Sequence, residues 1–227
     1  MTFDADRVST LLFDSYSTLV DVDAAEQALA DRVADPEPVS KVWRARSLEY
    51  TMVANRIDAY QTFYEMNRDA LQYALDATDE DLSTEERDEI LAIYHELDVF
   101  DDVREGLERF RDAGYDCYVL SNGNPEMLDS LVDHADIEGL VVDAISADEV
   151  ELFKPHVDLY HHAADRTDTP VEELAHVTAL WFDVMGAQNA GMQGVWVDRK
   201  SDPSETFGPE PDLTIESFYD LAAALDA

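Results

Sequence analysis

The chain has one cysteine, few basic residues and no long apolar run, and these shortages limit what the protein can be. Cys117 is the only cysteine among 227 residues, which excludes an internal disulfide and a cysteine-based metal cluster. Because no stretch of about 18 apolar residues occurs, we expect no transmembrane helix and no membrane partner. The first residues lack a basic segment followed by an apolar one, so we expect no secretory signal. Together these absences favour a cytoplasmic protein.

Positive charge is scarce throughout. Lysine and arginine total 15 against 52 acidic residues, which gives a formal net charge of -37. Such self-repulsion opposes a compact fold, but in molar salt the Debye length is about 3 Å and the repulsion is screened. The hydrophobic content of 46% argues against a disordered acidic chain. We therefore expect a folded, halophilic protein whose surface repels nucleic acid and anionic membranes.

Hydrophobic periodicity places a helical block inside an alternating pattern. Residues 8–13 form an apolar run that predicts a first strand, whereas residues 21–97 carry apolar positions at helical spacing. After residue 100 strands and helices alternate, which predicts a parallel sheet with right-handed crossovers. The predicted fold is α/β, with a Rossmann-like parallel sheet core formed by residues 1–19 and 98–227 and an inserted helical cap domain formed by residues 20–97.

Local signals mark where several elements begin or end. Prolines at 36 and 38 separate the first two cap helices, and Gly114 ends the helix before the second strand. Ser83, followed by Glu85 and Glu86, is typical of a helix start. The predicted strands are 8–13, 115–120, 141–145, 176–182 and 194–198, and the predicted helices are 23–33, 39–53, 59–75, 84–95, 103–113, 125–134, 155–164, one ending at 190, and 215–225.

Polar side chains follow several of the predicted strands. Asp14 ends the first apolar run, Ser121 follows the second strand, Lys154 precedes a helix, and Asp183 follows a later strand. The carboxyl ends of parallel strands lie side by side, so these four residues are predicted to converge where open α/β sheets place their chemistry. A lysine beside Asp14 would keep the carboxylate ionised and nucleophilic. Any one of these residues alone is better explained by turn chemistry, but four in this order indicate a catalytic site.

This order resembles the haloacid dehalogenase-like superfamily, whose motifs match Asp14, Ser121, Lys154 and Asp183. Phosphatase members of that superfamily carry a second aspartate as general acid at the position of Tyr16. A phenol with a pKa of about 10 performs that task poorly. The segments 43–51, 121–123, 153–155 and 183–187 instead resemble the L-2-haloacid dehalogenases.

The resemblance implies a two-step hydrolysis of short L-2-haloalkanoic acids. Asp14 would displace the halide with inversion and form an aspartyl ester, and water would then release the 2-hydroxy acid. No cofactor and no metal are implied, because a halide leaves without phosphoryl charge to neutralise. Since family members are commonly homodimers, a homodimer is expected as well.

The resemblance also assigns roles to individual side chains. Lys154 would hold the charge of Asp14, and Thr18 would orient it. Arg44 is favoured over Arg46 by its position directly after Trp43, although either arginine could be a solvated helix residue. Leu48 and Phe63 could equally be plain cap core, and Tyr16 a packing residue. We assign no histidine a role. The halide is predicted to bind to Arg44, Asn122 and Phe182, and the substrate carboxylate to Ser121. The pocket is predicted to be lined by Tyr16, Leu48, Phe63 and Thr178.

Two positions depart from the family pattern. Leu180 stands where the family has an asparagine near the hydrolytic water, and leucine can form no hydrogen bond to it, although Thr178 preserves a hydroxyl. We therefore expect slow ester hydrolysis, or a water oriented by Asp183 alone. Ser17 replaces a glycine and is expected to restrict its turn. Two other functions stay open: a magnesium-dependent phosphatase of the same fold, and a catalytically weak member that binds carboxylates or a partner.

Overall fold

A six-stranded parallel sheet forms the centre of the computed structural model, which describes residues 2–201, 203 and 205–227. Its strands are β1 Thr10–Phe13, β2 Asp116–Ser121, β3 Asp143–Ser146, β4 Leu174–Thr178, β5 Gln193–Val197 and β6 Leu213–Ile215. The order across the sheet is β3-β2-β1-β4-β5-β6, so β1 lies between β2 and β4. Because the strand order reverses at β1, the crevice beyond its carboxyl end is where this topology places a ligand.

The helices follow the predicted alternation. Four of them, α1 Asp23–Ala30, α2 Pro36–Ile57, α3 Phe63–Ala77 and α4 Thr84–Ala92, lie between β1 and β2 and form the helical insertion. No helix within the described ranges combines the length and apolar character needed to cross a membrane. The remaining helices are α5 Val103–Asp112, α6 Pro125–His134, α7 Val157–Thr167, α8 Trp181–Ala190 and α9 Phe218–Ala224.

Helix α2 has a buried stripe of apolar and small side chains. The buried residues of this stripe follow one another after about one or two helical turns, which places them on one face of the helix. They are Val39, Trp43, Ser47 and Ala54. Trp43 is fully buried, and its indole Nε1–H donates to the carbonyl oxygen of Asn67 on α3 at 2.9 Å. This anchor sets the rotation of α2 and therefore the direction in which the next residue projects.

Capping boxes define where two of the cap helices begin. The Thr62 hydroxyl accepts from the backbone N–H of Glu65 at the start of α3, and the Glu65 carboxylate accepts from the N–H of Thr62. Ser83 and Glu86 form the same arrangement at the start of α4, where the sequence predicts a helix start. An N-cap side chain of this kind stabilises a helix by about 1 kcal/mol.

The two segments that join sheet and insertion pair with each other. Val20 and Val99 form an antiparallel bridge, and the N–H of Asp21 donates to the carbonyl oxygen of Asp98 at 2.8 Å. The chain therefore leaves the core and returns to it at one place. We propose that the domain boundary lies here, with residues 1–19 and 98–227 as the core domain and residues 20–97 as the cap domain.

Some predicted element bounds are wrong. The strand predicted at 176–182 is Leu174–Thr178, and helix α8 already begins at Trp181. Periodicity cannot separate a buried strand from a buried helix start within one apolar run. The strand predicted at 141–145 lies at Asp143–Ser146. The three-residue strand β6 was missed because the helix prediction at 215–225 included its last residue.

Candidate active site

Asp14 directly follows β1 and is held at both carboxylate oxygens. Lys154 Nζ donates to Oδ1 at 2.6 Å, and Thr18 Oγ1 donates to Oδ2 at 3.0 Å. The Thr18 hydroxyl in turn accepts from the backbone N–H of Ala179 at 2.9 Å, which ties the β1 and β4 loops together. Asp14 is only 3% exposed. The carboxylate is therefore fixed in orientation and largely removed from water.

Lys154 connects the two acidic residues of the site. Its Nζ lies 2.6 Å from Asp14 Oδ1, 2.8 Å from Asp183 Oδ2 and 3.0 Å from the carbonyl oxygen of Leu120. These three acceptors occupy the three protons of an ammonium group. Burial alone would lower the pKa of Lys154, but the two carboxylates raise it above its ordinary value. Lys154 is therefore a buried, fully paired cation.

The two carboxylates have opposite pKa shifts. Burial raises the pKa of Asp14 above its ordinary value, and Lys154 opposes this rise without cancelling it. Burial also acts upward on the pKa of Asp183, but the charge of Lys154 and the hydrogen bonds that Lys154 and His176 donate to Oδ2 hold that pKa below its ordinary value. Asp183 is thus the more firmly ionised partner of Lys154, and Asp14 is the more basic carboxylate.

Asp183 has two further partners that sequence reasoning did not identify. The Tyr160 hydroxyl donates to Oδ1 at 2.6 Å, and His176 Nε2 lies 2.9 Å from Oδ2. Both residues have 0% exposure. The sequence signal for His176 was a titratable side chain inside an otherwise apolar strand. Tyr160 carried no signal beyond its place on a predicted helix. His176, to which the sequence prediction assigns no role, therefore lies in contact with the acidic residue of the site.

The end of β2 fixes the Lys154 loop. The Ser121 hydroxyl lies 2.6 Å from that of Ser15 and accepts from the backbone N–H of Gly123 at 2.9 Å. Asn122 Oδ1 accepts from the backbone N–H of Lys154 at 2.8 Å. The predicted convergence of Asp14, Ser121, Lys154 and Asp183 is therefore present, with Asn122 as a link between two of the loops.

The cap holds the same loop from the opposite side. Asn55 on α2 donates through Nδ2 to the carbonyl oxygen of Phe153 at 2.7 Å, and its Oδ1 accepts from the N–H of Phe153 at 2.9 Å. Tyr60 stacks on the Phe153 ring with centroids 5.2 Å apart. The residue that precedes Lys154 is thus clamped by the cap domain.

A small cavity of about 60 Å³ lies between this centre and the cap. Pockets for drug-sized ligands measure roughly 300–1,000 Å³, so this space suits a molecule of very few atoms. Thr178 and Phe182 are buried, and with Ser121 and Asn122 they lie outside the lining of this cavity. The lining does not include Asp14, Thr18, Lys154 or Asp183 either, and the loop residues Tyr16 and Ser17 separate the cavity from Asp14. The lining residues are Tyr16, Ser17, Val22, Arg44, Ser47, Leu48, Phe63, Asn67, Tyr94 and Leu180.

Tyr16 brings a neutral donor to the cavity. Its ring stacks on Phe63 with centroids 6.0 Å apart and meets Tyr94 edge-on at 5.5 Å. Its hydroxyl is buried and has no hydrogen-bond partner among the described residues. Burial raises the pKa of Tyr16 well above its ordinary value, so the phenol stays protonated. An unpaired buried donor at a cavity wall is suited to a polar or anionic ligand.

The two arginines after Trp43 project differently. Arg44 lines the cavity and donates through Nη2 to Ser17 Oγ at 3.3 Å. Arg46 instead pairs with Glu49 at 2.9 Å and lies 3.9 Å above the ring of Tyr73. Arg44 thus lines the cavity and also pairs with Asp23 at 3.6 Å, whereas Arg46 packs against aromatic rings of the cap, away from the cavity.

Two features bear on the remaining predictions. Leu180 lines the cavity, and its backbone N–H donates to Thr178 Oγ1 at 3.1 Å. Ser17 has a φ of 67°, the left-handed region that favours glycine.

Among the described residues no group of three or more His, Cys, Asp or Glu side chains is arranged to hold a metal ion.

Comparison with known proteins matches this chain to one family. Residues 8–191 match the family model of the haloacid dehalogenase-like hydrolases. The chain is 32% identical over 201 residues to (S)-2-haloacid dehalogenase 4A of Burkholderia cepacia, which covers 88% of this chain and 87% of that protein. It is 31% identical to (S)-2-haloacid dehalogenase 1 of Pseudomonas sp. strain CBS-3, with 90% and 91% covered. The L-2-haloacid dehalogenase of Xanthobacter autotrophicus, solved with chloropropionic acid covalently bound, superposes with a TM-score of 0.90 at 26% identity, over 97% of this chain and 99% of that one.

Proposed function

The chain belongs to the haloacid dehalogenase-like hydrolases, in the L-2-haloacid dehalogenase family, and we propose that it hydrolyses short (S)-2-haloalkanoic acids to 2-hydroxy acids. The observation that carries this proposal is the buried Asp14 carboxylate, fixed by Lys154 and Thr18 beside a small cavity that Arg44 and Tyr16 line. A fixed, desolvated carboxylate next to a cationic wall is suited to displacing an anion from carbon.

In the first step an Asp14 oxygen forms a bond to C2 as the carbon–halogen bond breaks. Oδ1 is held by the short contact to the Lys154 ammonium, so we infer that Oδ2, with the longer Thr18 contact, attacks. Attack opposite the halogen inverts C2, and the halogen leaves with the bonding electron pair. The Arg44 guanidinium is always charged and weakly hydrated, which suits a halide, and the Tyr16 hydroxyl supplies a second donor.

The substrate carboxylate requires its own donors. Ser121, with backbone N–H groups before α6 other than that of Gly123, is proposed for this role, because its hydroxyl lies 2.6 Å from that of Ser15, the neighbour of Asp14, and the turn precedes a helix start. Asn122 is proposed to contribute to halide binding together with Phe182, and Leu48 and Phe63 to provide the apolar wall. These five assignments stay predictions.

In the second step water adds to the carboxyl carbon of the Asp14 ester. Negative charge develops on the ester carbonyl oxygen, which is Oδ1 if Oδ2 attacked, and Lys154 Nζ is placed to stabilise it. Collapse of this intermediate breaks the bond between that carbon and the ester oxygen. One proton of the added water goes to the departing C2 oxygen, which frees the 2-hydroxy acid, and the other is released as Asp14 returns to its carboxylate form. Asp183 is fully enclosed, so in this mechanism it acts through Lys154. The Thr178 hydroxyl is proposed to contact the water.

Single turnover in H₂¹⁸O tests this route. Excess enzyme is mixed with (S)-2-bromopropionate in molar KCl, bromide is measured by ion chromatography, and label is located by mass spectrometry. We expect unlabelled (R)-lactate and ¹⁸O in Asp14, because the first product oxygen comes from the carboxylate. Label in the lactate of the first turnover would exclude the ester route. Asp14→Asn is the matched control and should release no bromide.

Two other functions make different predictions in the same reaction vessel. A magnesium-dependent phosphatase would release phosphate from small phosphate esters only with Mg²⁺ and release no bromide. The raised pKa of Tyr16 disfavours it, since a phenol that stays protonated does not protonate a leaving oxygen near neutral pH. A catalytically weak carboxylate-binding member, suggested by Leu180, would bind (S)-2-bromopropionate by calorimetry without turnover.

We also propose a homodimer formed through the outer face of the cap. Met52, Val53 and Ile57 on α2 are 39%, 47% and 65% exposed, and Tyr73 on α3 is 41% exposed. Large exposed apolar side chains close together are typical of an interface. Light scattering in molar KCl should give twice the 25.5 kDa chain mass, and Val53→Asp should return the monomer mass.

Salt dependence follows from the charge of the chain. With a formal net charge of -37, we propose that the fold is halophilic and needs salt screening. The melting temperature should fall steeply as KCl is lowered from 2 M to 0.1 M. A melting temperature independent of salt would contradict this proposal.

A further inference from the structure

A buried histidine contacts the acidic residue that supports Lys154. His176 lies in β4 with 0% exposure, and its Nε2 is 2.9 Å from Asp183 Oδ2. Its ring meets the Tyr160 ring edge-on, with centroids 5.8 Å apart. His176 does not line the cavity and does not touch Asp14 by a hydrogen bond. Its hydrogen bond in the site is therefore to Asp183.

The other ring nitrogen identifies the form of the imidazole. His176 Nδ1 is buried and has no hydrogen-bond partner among the described residues. In the cationic form Nδ1 would carry a buried, unpaired N–H, which is costly. The neutral tautomer with the proton on Nε2 leaves only an unused lone pair at Nδ1 and still donates to the Asp183 carboxylate.

The ester intermediate depends on this contact more than the free enzyme does. In the free enzyme the Lys154 ammonium is balanced by both Asp14 and Asp183. Esterification neutralises Asp14 and leaves Asp183 as the carboxylate in contact with Lys154. The position of Lys154 against the developing oxyanion then depends on the orientation of Asp183, which Tyr160 and His176 fix.

We propose that His176 is a positioning residue for ester hydrolysis, acting as a neutral Nε2–H donor that holds Asp183, and through it Lys154, while Asp14 is esterified. This inference rests on the proposed two-step hydrolysis. It assigns His176 to the second step and leaves the first step nearly independent of it.

A matched pair of amide variants tests the assignment. The side-chain amide of His176→Gln reaches about as far as Nε2, whereas that of His176→Asn reaches only as far as Nδ1. Loss of one hydrogen bond to a charged group lowers a rate by about 10- to 100-fold. For (S)-2-bromopropionate we expect His176→Asn to lower kcat by that factor with kcat/KM unchanged, because kcat/KM reports only the steps through carbon–halogen cleavage. In single turnover followed by mass spectrometry, the Asp14 ester should decay 10- to 100-fold more slowly in this variant than in the wild-type chain, and His176→Gln should restore both the decay rate and kcat.

Other results would overturn the assignment. Equal losses of kcat and kcat/KM in His176→Asn indicate general damage, and equal rates in the two variants exclude a donor at Nε2. If His176→Asn does not fold, ester accumulation in His176→Leu gives the same comparison with His176→Gln.

A measurement on the resting enzyme keeps this inference separate from the proposed function. Imidazole ¹⁵N NMR should show Nε2 protonated and Nδ1 bare at pH 7.5, whether or not the enzyme turns over haloacids. A cation, or a proton on Nδ1, overturns the inference even in an active dehalogenase. Absence of bromide release by the wild-type chain, with the Nε2–H tautomer present, refutes the two-step function and with it the role of His176 in ester hydrolysis.

Discussion

Leu180→Asn should convert a slow second step into a fast one. Leu180 lines the cavity and stands at the N-cap of α8 with extended backbone, φ -101° and ψ 116°, and no side-chain cap hydrogen bond. Asparagine is among the preferred N-cap residues, and leucine is among the poor ones. One substitution therefore supplies a helix cap and a hydrogen-bonding group at the cavity wall.

The expected changes in rate and stability follow from two hydrogen bonds that leucine cannot form, one to the hydrolytic water and one to the backbone at the start of α8. A lost positioned donor costs about 10²–10³ in rate where it acts on the transition state. Ester hydrolysis in the wild-type chain should therefore limit turnover, and rapid mixing with (S)-2-bromopropionate should give a burst of about one bromide per active site. In Leu180→Asn we expect kcat to rise at least tenfold until carbon–halogen cleavage limits it, and the burst to shrink. The new cap should add about 0.5–2 kcal/mol to the free energy of unfolding.

Leu180→Asp is the matched control for this experiment. Aspartate caps a helix as well as asparagine does but has no amide N–H. It should gain stability without gaining rate. The reasoning is refuted if the wild-type chain shows no burst and no trapped ester, or if both variants change kcat equally.

Three further perturbations follow from contacts at the site. Burial raises the pKa of Asp14 above its ordinary value of 3.8, and attack on carbon requires the ionised carboxylate. At pH values below this raised pKa, kcat/KM should therefore fall tenfold for each pH unit. A profile of kcat/KM measured from pH 3.5 to 8 that stays flat down to pH 4 contradicts this. Arg44→Lys should lower kcat/KM for bromide release by at least tenfold, because a single ammonium cannot replace a planar guanidinium, whereas Arg46→Lys, away from the cavity, should change it less than twofold. Asn55→Ala removes both hydrogen bonds to the backbone of Phe153 and should lower the free energy of unfolding by about 1–3 kcal/mol in urea titrations, together with kcat; unchanged values would show that the cap does not hold the Lys154 loop.

The order of the chain is enough to predict the architecture and the centre of the site. An apolar run that ends at a carboxylate predicts a buried strand with Asp14 at its tip, and the alternation after residue 100 predicts parallel neighbours. Parallel strands align their carboxyl ends, so the convergence of Asp14, Lys154 and Asp183 follows from topology and needs no knowledge of packing. The resemblance to a known family, through Tyr16, predicts dehalogenase chemistry in place of phosphatase chemistry.

Packing decided what the sequence left open. The choice between Arg44 and Arg46 depends on how α2 is rotated, and that rotation is set by the burial of Trp43 and its contact with α3. The end of β4 and the start of α8 lie in one apolar run, where periodicity does not distinguish strand from helix. The choice of arginine and the boundary between β4 and α8 both depend on contacts with distant segments of the chain.

His176 shows the same limit most directly. In the sequence it is a polar residue in an apolar strand, with no feature that names a partner. Its contact with Asp183 arises because the chain turns back after β4 and places the first turn of α8 against the strand it has just left. Hydrogen bonds select partners by distance and angle, and only the folded chain defines those.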